Sequence, residues 1–182
     1  MIATLLAKID LAFARRSMPD RAIDYDEGAS PIDSDVEDAL WFSGRNWRDI
    51  KLEDWKDHMC AFTFMSAEAA RYYLPSLLTV SAQNPEEWIY SLDSLMSELD
   101  HYPGIESWED RFKERFLGFY LDEYEALKDW LLYMAEHAPG LGFHNSGAGE
   151  TCLRALDVVN LLQQEVEIQN MIEREALGDV ST

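Results

Sequence analysis

The amino-acid sequence predicts an all-α fold: an irregular bundle of about seven helices in a single domain, residues 1–182. Apolar residues recur at spacings of three and four along most of the chain, which is the period of an amphipathic helix. Capping residues and first-turn acids open several of these stretches, and glycine or proline separates them. Alternating apolar and polar runs are few and isolated, so we expect no sheet.

The first part of the chain predicts two helices on either side of a long acidic loop. An amphipathic helix is expected over residues 2–16, and the next residues include Met18-Pro19. Residues 17–34 contain two prolines and a glycine and show no helical period, which indicates a surface loop. Ser34 and Glu37 have the spacing of a capping box and open a short helix.

The central part predicts a helix from about Leu52 to Cys60 and a longer one that begins at Ser66. The alternation in residues 62–64 permits a short extended piece between them. Pro75 lies inside the longer helix. Because proline removes a backbone hydrogen bond and clashes with the carbonyl four residues earlier, we expect this central helix to kink or break near Tyr72.

The remaining residues predict further helices, the last of them long. An N-cap and a first-turn proline at residues 84–85 open one helix, and Asp122 with Glu125 caps another. A glycine-rich loop is expected at residues 138–149, followed by a C-terminal helix over about residues 150–177.

Charge restricts the classes of partner. The chain has 35 acidic against 15 basic side chains, a net charge of −20. Such a surface repels nucleic-acid backbones and anionic lipids, so we expect neither direct nucleic-acid binding nor membrane binding. It attracts basic proteins, which makes a basic protein the expected partner, although acidity that serves only solubility explains the composition equally well.

The acidic side chains are most concentrated between Asp20 and Asp38, where Arg21 is the one basic residue. A dense block of one sign is the natural contact for a partner of the opposite sign. The predicted partner-binding residues are Asp24, Asp26, Glu27, Asp33, Asp35, Glu37 and Asp38.

The cysteines indicate a reducing compartment. Cys60 and Cys152 are the only two, and they form no CxxC motif. At the N-terminus the basic pair Arg15-Arg16 follows the apolar stretch, an order opposite to that of a signal peptide. No apolar run is long enough to span a bilayer. We therefore predict a cytoplasmic protein.

Two groups of residues form a possible polar site. Asp54 and His58 are four residues apart on a predicted helix, with Asp57 beside them, so a carboxylate could orient the imidazole for acid–base or metal chemistry. A surface ion pair accounts for the same spacing. Arg71, Tyr72 and Tyr73 precede Pro75, and they form either a ligand site or a helix whose hydroxyls are satisfied internally.

The sequence provides no complete catalytic motif. Glu98 and His101 have the spacing of a helix-end cap. The loop around His144 could be imagined as a phosphate cradle, but it lacks the Walker spacing and contains no lysine or arginine. We predict no catalytic residue, no metal site and no cofactor, and whether the chain is an enzyme stays undecided, with a non-enzymatic role favoured.

The segment RNWRDIKLEDWKDHMCAFTFMSAEAARYYLPSLL resembles the central signature of a bacterial family of unknown function. That signature combines a W-x-D-[IL] segment, a phenylalanine just before a Ser/Thr-Pro/Ala-Glu-Ala helix start, and an RYYLP core. The resemblance covers the chain from the second predicted helix to about residue 135, and it implies a bacterial origin and a shared helical fold but no reaction. Ala67 stands where the family usually has proline. The matching positions are Trp47, Asp49, Ile50, Phe64, Ser66, Glu68, Ala69 and Arg71 to Pro75.

These observations favour a non-enzymatic acidic protein-binding module, such as a bacterial immunity protein or antitoxin that neutralises a basic effector. One alternative is a small enzyme that depends on a metal or on the Asp54, Asp57 and His58 group. Another is a DNA-mimic inhibitor of a nucleic-acid-binding protein, which requires acidic groups at phosphate-like spacing on one elongated face.

Overall fold

The computed structural model describes residues 2–24, 34–87, 89–101, 104–138 and 148–178, and every regular element in these ranges is a helix. The described residues form nine α-helices and two 3₁₀ helices and contain no strand. This confirms the all-α class, with more helices than the seven expected. The 3₁₀ helices are Trp47–Asp49 and Ile105–Ser107, and the α-helices are α1 (Ile2–Ala12), α2 (Ser34–Trp41), α3 (Leu52–Asp57), α4 (Ala61–Phe64), α5 (Ala67–Gln83), α6 (Tyr90–His101), α7 (Asp110–Phe116), α8 (Leu121–His137) and α9 (Ala148–Gly178).

Helix α5 is the centre of the bundle. Twelve of its 17 residues are buried, on every side of the helix, and α1, α3, α7 and α8 all pack against it. A helix that is apolar all round is one that other elements surround. The Ser66 hydroxyl caps its N-terminus by accepting a hydrogen bond from the Ala69 backbone N–H at 3.1 Å. Helix α5 continues through Pro75 without a break, and the kink there remains a prediction.

Two buried tryptophans are attached to α5 by serine hydroxyls. Trp55 Nε1 donates to Ser76 Oγ, and Trp130 Nε1 donates to Ser81 Oγ, both at 3.1 Å. Both indoles are fully buried, so each N–H requires an acceptor inside the protein. The serines thus join α3 and α8 to the central helix.

Helix α9 packs lengthwise against α8 and also contacts α6. Its 31 residues make it about 46 Å long. The buried apolar residues follow the helical period and end with Val166, which is 9% exposed; they are Cys152, Ala155, Val158, Val159, Leu162 and Val166.

The structure corrects several predicted boundaries. Helix α1 ends at Ala12, four residues earlier than expected. The region predicted as one helix and an extended piece is instead two helices, α3 and α4, because the backbone turns at residues 58–60. Helix α6 begins at Tyr90 rather than directly after residues 84–85. Residues 139–147 of the predicted glycine-rich loop lie outside the described residues.

The cap of α8 also differs from the prediction. Tyr120 occupies the N-cap position, and its backbone N–H donates to Glu123 Oε2 at 2.8 Å. Asp122 is instead an exposed ion-pair partner of Arg15. Asp122 and Glu125 have the spacing of a capping box, but the N-cap of the helix lies two residues earlier, at Tyr120.

No helix within the described ranges combines the length and the apolarity needed to cross a membrane.

Candidate functional site

A polar cluster joins α2 to the turn between α3 and α4. Asp38 Oδ1 lies 3.3 Å from His58 Nδ1, and Asp38 Oδ2 accepts a hydrogen bond from the Cys60 backbone N–H at 3.0 Å. Both members of the Asp38–His58 pair are about one-fifth exposed. The structure therefore brings together one residue of the predicted partner-binding set and one of the predicted polar site.

Asp54 has a different role from the one its spacing suggested. Its Oδ2 accepts from the Lys51 backbone N–H at 2.8 Å, which satisfies a free donor at the start of α3. The carboxylate that orients His58 is that of Asp38, 20 residues earlier in the chain. Asp57 is exposed.

Trp41 provides a stacking surface for this cluster. The His58 ring lies 4.4 Å from the Trp41 ring at an interplanar angle of 25°, and the Arg45 guanidinium carbon lies 3.7 Å from the same ring. Two planar groups at such distances must occupy opposite faces of the indole. His58 is therefore held by a carboxylate at one ring nitrogen and by an aromatic face.

A cleft of about 420 Å³ lies beside the Arg45 face of Trp41. Gly44 turns the chain there with φ of +74°, a left-handed conformation that side chains rarely adopt. The cleft has two cations and two carboxylates in its walls, so it favours hydrogen bonding to a small zwitterionic or neutral polar group. Its lining residues are Trp41, Gly44, Arg45, Asn46, Asp49, Ile50, Lys51 and Asp54.

The described residues contain no group of three or more His, Cys, Asp or Glu side chains arranged to hold a metal ion.

Tyr73 connects α5 to the end of α2. Its hydroxyl donates to the Arg45 carbonyl oxygen at 3.1 Å and makes a short hydrogen bond to the Phe42 carbonyl oxygen. Burial raises the pKa of Tyr73 to about 12, because ionisation would place a charge in the core. Tyr72, its neighbour, is also buried.

Arg71 extends from the other side of α5 to the end of α7. Its Nη1 donates to the carbonyl oxygens of Glu114 and Arg115, two of the free acceptors in the last turn of that helix. Burial lowers the pKa of Arg71, and the nearby charge of Arg16 lowers it further. The described contacts of Arg71 and Tyr73 thus satisfy backbone carbonyls at the ends of two helices.

The predicted partner-binding residues are only partly described. Asp24 and Glu37 are exposed, whereas Asp38 is held in the pair with His58. Asp35 belongs to α2, but its side chain lies outside the described set. Asp26, Glu27 and Asp33 lie outside the described residues.

The basic side chains are largely committed to contacts within the protein. All 15 Lys and Arg residues lie in the described ranges. Arg45, Arg71 and Arg111 donate to backbone carbonyl oxygens. Nine others form ion pairs with described carboxylates: Lys8, Arg15, Arg16, Arg48, Lys56, Lys113, Arg115, Lys128 and Arg154.

Three exposed carboxylates belong to the two helices that the Asp38–His58 pair connects, and we call them the α2–α3 acidic patch: Glu37, Glu53 and Asp57. Glu37 and Asp57 are each adjacent in sequence to one member of the pair, and Glu53 lies one turn before Asp57 on α3. None of the three forms an ion pair with a described residue. The patch therefore presents unneutralised negative charge to solvent.

Comparison with known protein families places the chain in a group without an assigned reaction. The model of DUF6714, a family of unknown function, matches residues 12–141, well over half of the 182-residue chain. The chain belongs to DUF6714. No curated protein and no solved structure matches it.

The DUF6714 match includes the polar cluster, the cleft and the α2–α3 acidic patch, whereas α9 lies beyond it. Sequence reasoning did not identify Asp38 as the partner of His58, nor Glu53 as part of an exposed patch. Asp38 and His58 are 20 residues apart, and no helical period links positions at that distance. Their contact follows only from the packing of α2 on α4 in the folded protein. The acidic residues on α3 could have been recognised from the sequence. Glu53 and Asp57 are four residues apart, which places them on one face of the helix.

Proposed function

We propose that this DUF6714 chain is a non-enzymatic acidic module that binds a basic protein, and that it acts as a bacterial immunity protein or antitoxin. The observation that supports the proposal most directly is the distribution of charge. Contacts among the described residues engage twelve of the 15 basic side chains, whereas the carboxylates of the α2–α3 acidic patch have no described cation.

Such a distribution favours association with cations from another molecule. Unpaired surface charges of one sign create a field that raises the rate of encounter with an oppositely charged protein. Because contacts among the described residues hold twelve of the chain's 15 cations, few of its own cations compete for the patch. The Asp38–His58 pair connects α2 to the residue that follows α3, so it links the two helices that carry the patch.

The proposal is tested by affinity capture from a lysate of the source cells with the full chain as bait. We expect recovery of a protein with a high isoelectric point at low ionic strength and its loss at about 0.5 M salt, where the Debye length is only a few ångströms. The triple variant Glu37→Gln, Glu53→Gln, Asp57→Asn should recover much less of it.

A matched variant controls for net charge alone. Glu106→Gln, Glu109→Gln, Asp110→Asn removes the same charge from exposed positions around the start of α7. It should retain the captured protein. Absence of any basic protein at low salt would count against the function, and equal loss in both variants would count against the patch as its site.

A further inference from the structure

The last part of α9 extends past the core that its first part helps to form. Every described side chain from Glu167 to Ala176 is exposed, whereas buried residues recur regularly up to Val166. These ten residues are about 15 Å of helix. Helices in proteins gain most of their stability from tertiary packing, so an exposed helix end with apolar residues indicates a contact that the described residues do not supply.

Three large apolar side chains form a stripe on this end, which we call the outer stripe of α9: Ile168, Met171 and Ile172. They are 46%, 54% and 58% exposed. At about 100° per residue they lie roughly 140–240° around the helix from Val166, on the side opposite to the buried stripe. The spacing i, i+3, i+4 is the pattern by which one helix packs against another.

A shallow groove adjoins the stripe where α8 begins. It has a volume of about 310 Å³, large enough for one side chain, and its apolar lining comes from Leu121 and Met171. Leu121 is itself 41% exposed. The remaining lining residues are polar or charged: Glu167, Asn170, Arg174 and Glu175.

The charges beside the stripe select the kind of partner. Residues 165–175 carry Glu165, Glu167, Glu173 and Glu175 against Arg174 alone. A second copy of the chain packed on this face would bring carboxylates together, which opposes association. A helix that carries lysine or arginine beside its own apolar stripe would pair with these carboxylates instead.

We propose that the outer stripe of α9 is a docking site for a basic amphipathic helix of the partner protein. The inference rests on the proposed function, because it takes the partner to be basic, and it adds the surface and the chemistry by which the partner is held. Leucine or isoleucine side chains cover Ile168, Met171 and Ile172, and one enters the groove beside Leu121. Helix α9 lies outside the DUF6714 match, so the family model does not cover this site.

The test uses the full chain and a synthetic probe. The probe is a fluorescent 18-residue peptide of leucine and lysine whose leucines recur at spacings of three and four, and its control is a scrambled peptide of the same composition. Fluorescence anisotropy at low salt should show that the amphipathic peptide binds at least tenfold more tightly than the scrambled one. The Met171 methyl resonance of ¹³C-labelled protein should shift on binding.

Variants distinguish binding of the peptide at the outer stripe from its general electrostatic attraction to an acidic protein. Ile168→Ser, Met171→Ser, Ile172→Ser should weaken binding at least tenfold, and its thermal unfolding should stay close to that of the wild type because these side chains are exposed. The matched control, Leu132→Ser with Leu153→Ser, removes apolar side chains that are 49% and 52% exposed elsewhere and should change affinity less than twofold.

Three outcomes would overturn the inference. First, the triple serine variant could bind the peptide as tightly as the wild type while the α2–α3 patch variant loses affinity. That result would reject the α9 site and leave the proposed function standing. A dimer in sedimentation equilibrium that the triple serine variant dissociates would assign the stripe to a second copy. No binding of either peptide at low salt, together with no basic protein in the capture experiment, would reject both proposals.

Discussion

Single hydroxyl groups connect the surrounding helices to the centre of this molecule. Ser81 Oγ accepts from Trp130 and itself donates to the Leu77 carbonyl oxygen at 2.7 Å, and Ser76 Oγ makes the equivalent contacts with Trp55 and Tyr73. Serine is ordinarily a weak helix former that favours caps. Its presence twice in the interior of α5 is explained by the indole N–H groups that it satisfies.

Ser81→Ala should destabilise the protein by about 1–3 kcal/mol, because it leaves the buried Trp130 N–H without an acceptor. The better helix propensity of alanine offsets only about 0.5 kcal/mol of this cost. Urea unfolding measured by tryptophan fluorescence checks the prediction. Ser97→Ala, at an exposed position of α6, should change the free energy of unfolding by less than about 0.5 kcal/mol. An equal effect in the two variants would show that the indole bond contributes nothing.

Tyr73 predicts a specific loss of stability in alkali. Its pKa rises from about 10 in the unfolded chain to about 12 in the folded one, so its contribution is complete below pH 10 and is lost as the pH rises towards 12. At pH 11 the loss is about 1 kcal/mol. Tyr73→Phe should be less stable than the wild type at pH 8 by about 1–3 kcal/mol, since it leaves the Arg45 carbonyl oxygen without this donor.

The measurement is urea unfolding of both proteins at pH 8 and pH 11. The difference between wild type and Tyr73→Phe should narrow at pH 11, because only the wild type must keep the buried phenol protonated. A difference that stays constant with pH would mean that the Tyr73 hydroxyl ionises as easily in the folded protein as in the unfolded chain.

At the scale of elements, the sequence pattern predicted which segments are helical better than it predicted where they end. The amphipathic period identified α1, α5, α8 and α9, because burial of one face by a neighbouring element leaves a regular trace in the sequence. Ends depend on contacts between distant residues. The helix expected to run to Cys60 stops at Asp57, where the Asp38 carboxylate binds both the His58 ring and the Cys60 N–H.

The candidate site shows the same limit. The residue spacing predicted a pair between Asp54 and His58. A carboxylate in the first turn of a helix, however, lies closer to the free backbone N–H groups there, and Asp54 accepts a hydrogen bond from the Lys51 N–H. Arg71 and Tyr73 were recognised as unusual from their sequence. Their partners are carbonyl groups at the ends of α7 and α2, and no local pattern encodes contacts across 31 to 43 residues.

Two ion pairs between the α1 region and α8 provide a test of how elements are held together. Arg16, in the segment after α1, binds Glu123 through Nε at 2.7 Å and through Nη2 at 2.5 Å, and Glu123 is fully buried. Lys8 and Asp129 form a pair between the same two regions, but both are at least one-third exposed.

Glu123→Gln should cost about 3–5 kcal/mol, because it leaves the Arg16 guanidinium, 14% exposed, without its counter-charge. Asp129→Asn should cost less than about 1 kcal/mol, because water screens the exposed pair. Differential scanning calorimetry of the two variants checks the comparison. Equal destabilisation would show that burial does not determine the strength of these contacts.

For the whole molecule, the excess of negative charge opposes folding while it favours binding. Compact structure brings 35 carboxylates close together, and the 15 cations neutralise fewer than half of them. Several of the cations link different elements, as Arg154 of α9 links to Asp100 of α6. The carboxylates of the α2–α3 acidic patch receive no such cation and therefore contribute mainly repulsion to the isolated chain.

Salt should consequently stabilise this protein. Raising NaCl from about 10 mM to 300 mM screens repulsion among the unpaired carboxylates more than it weakens the exposed ion pairs, so the midpoint of thermal unfolding should rise by several degrees. The Glu37→Gln, Glu53→Gln, Asp57→Asn variant should unfold at a higher temperature than the wild type at 10 mM NaCl, and it should gain less from added salt. A midpoint that falls with salt would mean that attractive pairs outweigh repulsion. If the variant is more stable and also loses its partner, the patch lowers the stability of the isolated chain and is needed for binding. Functional surfaces commonly show this trade-off between stability and activity.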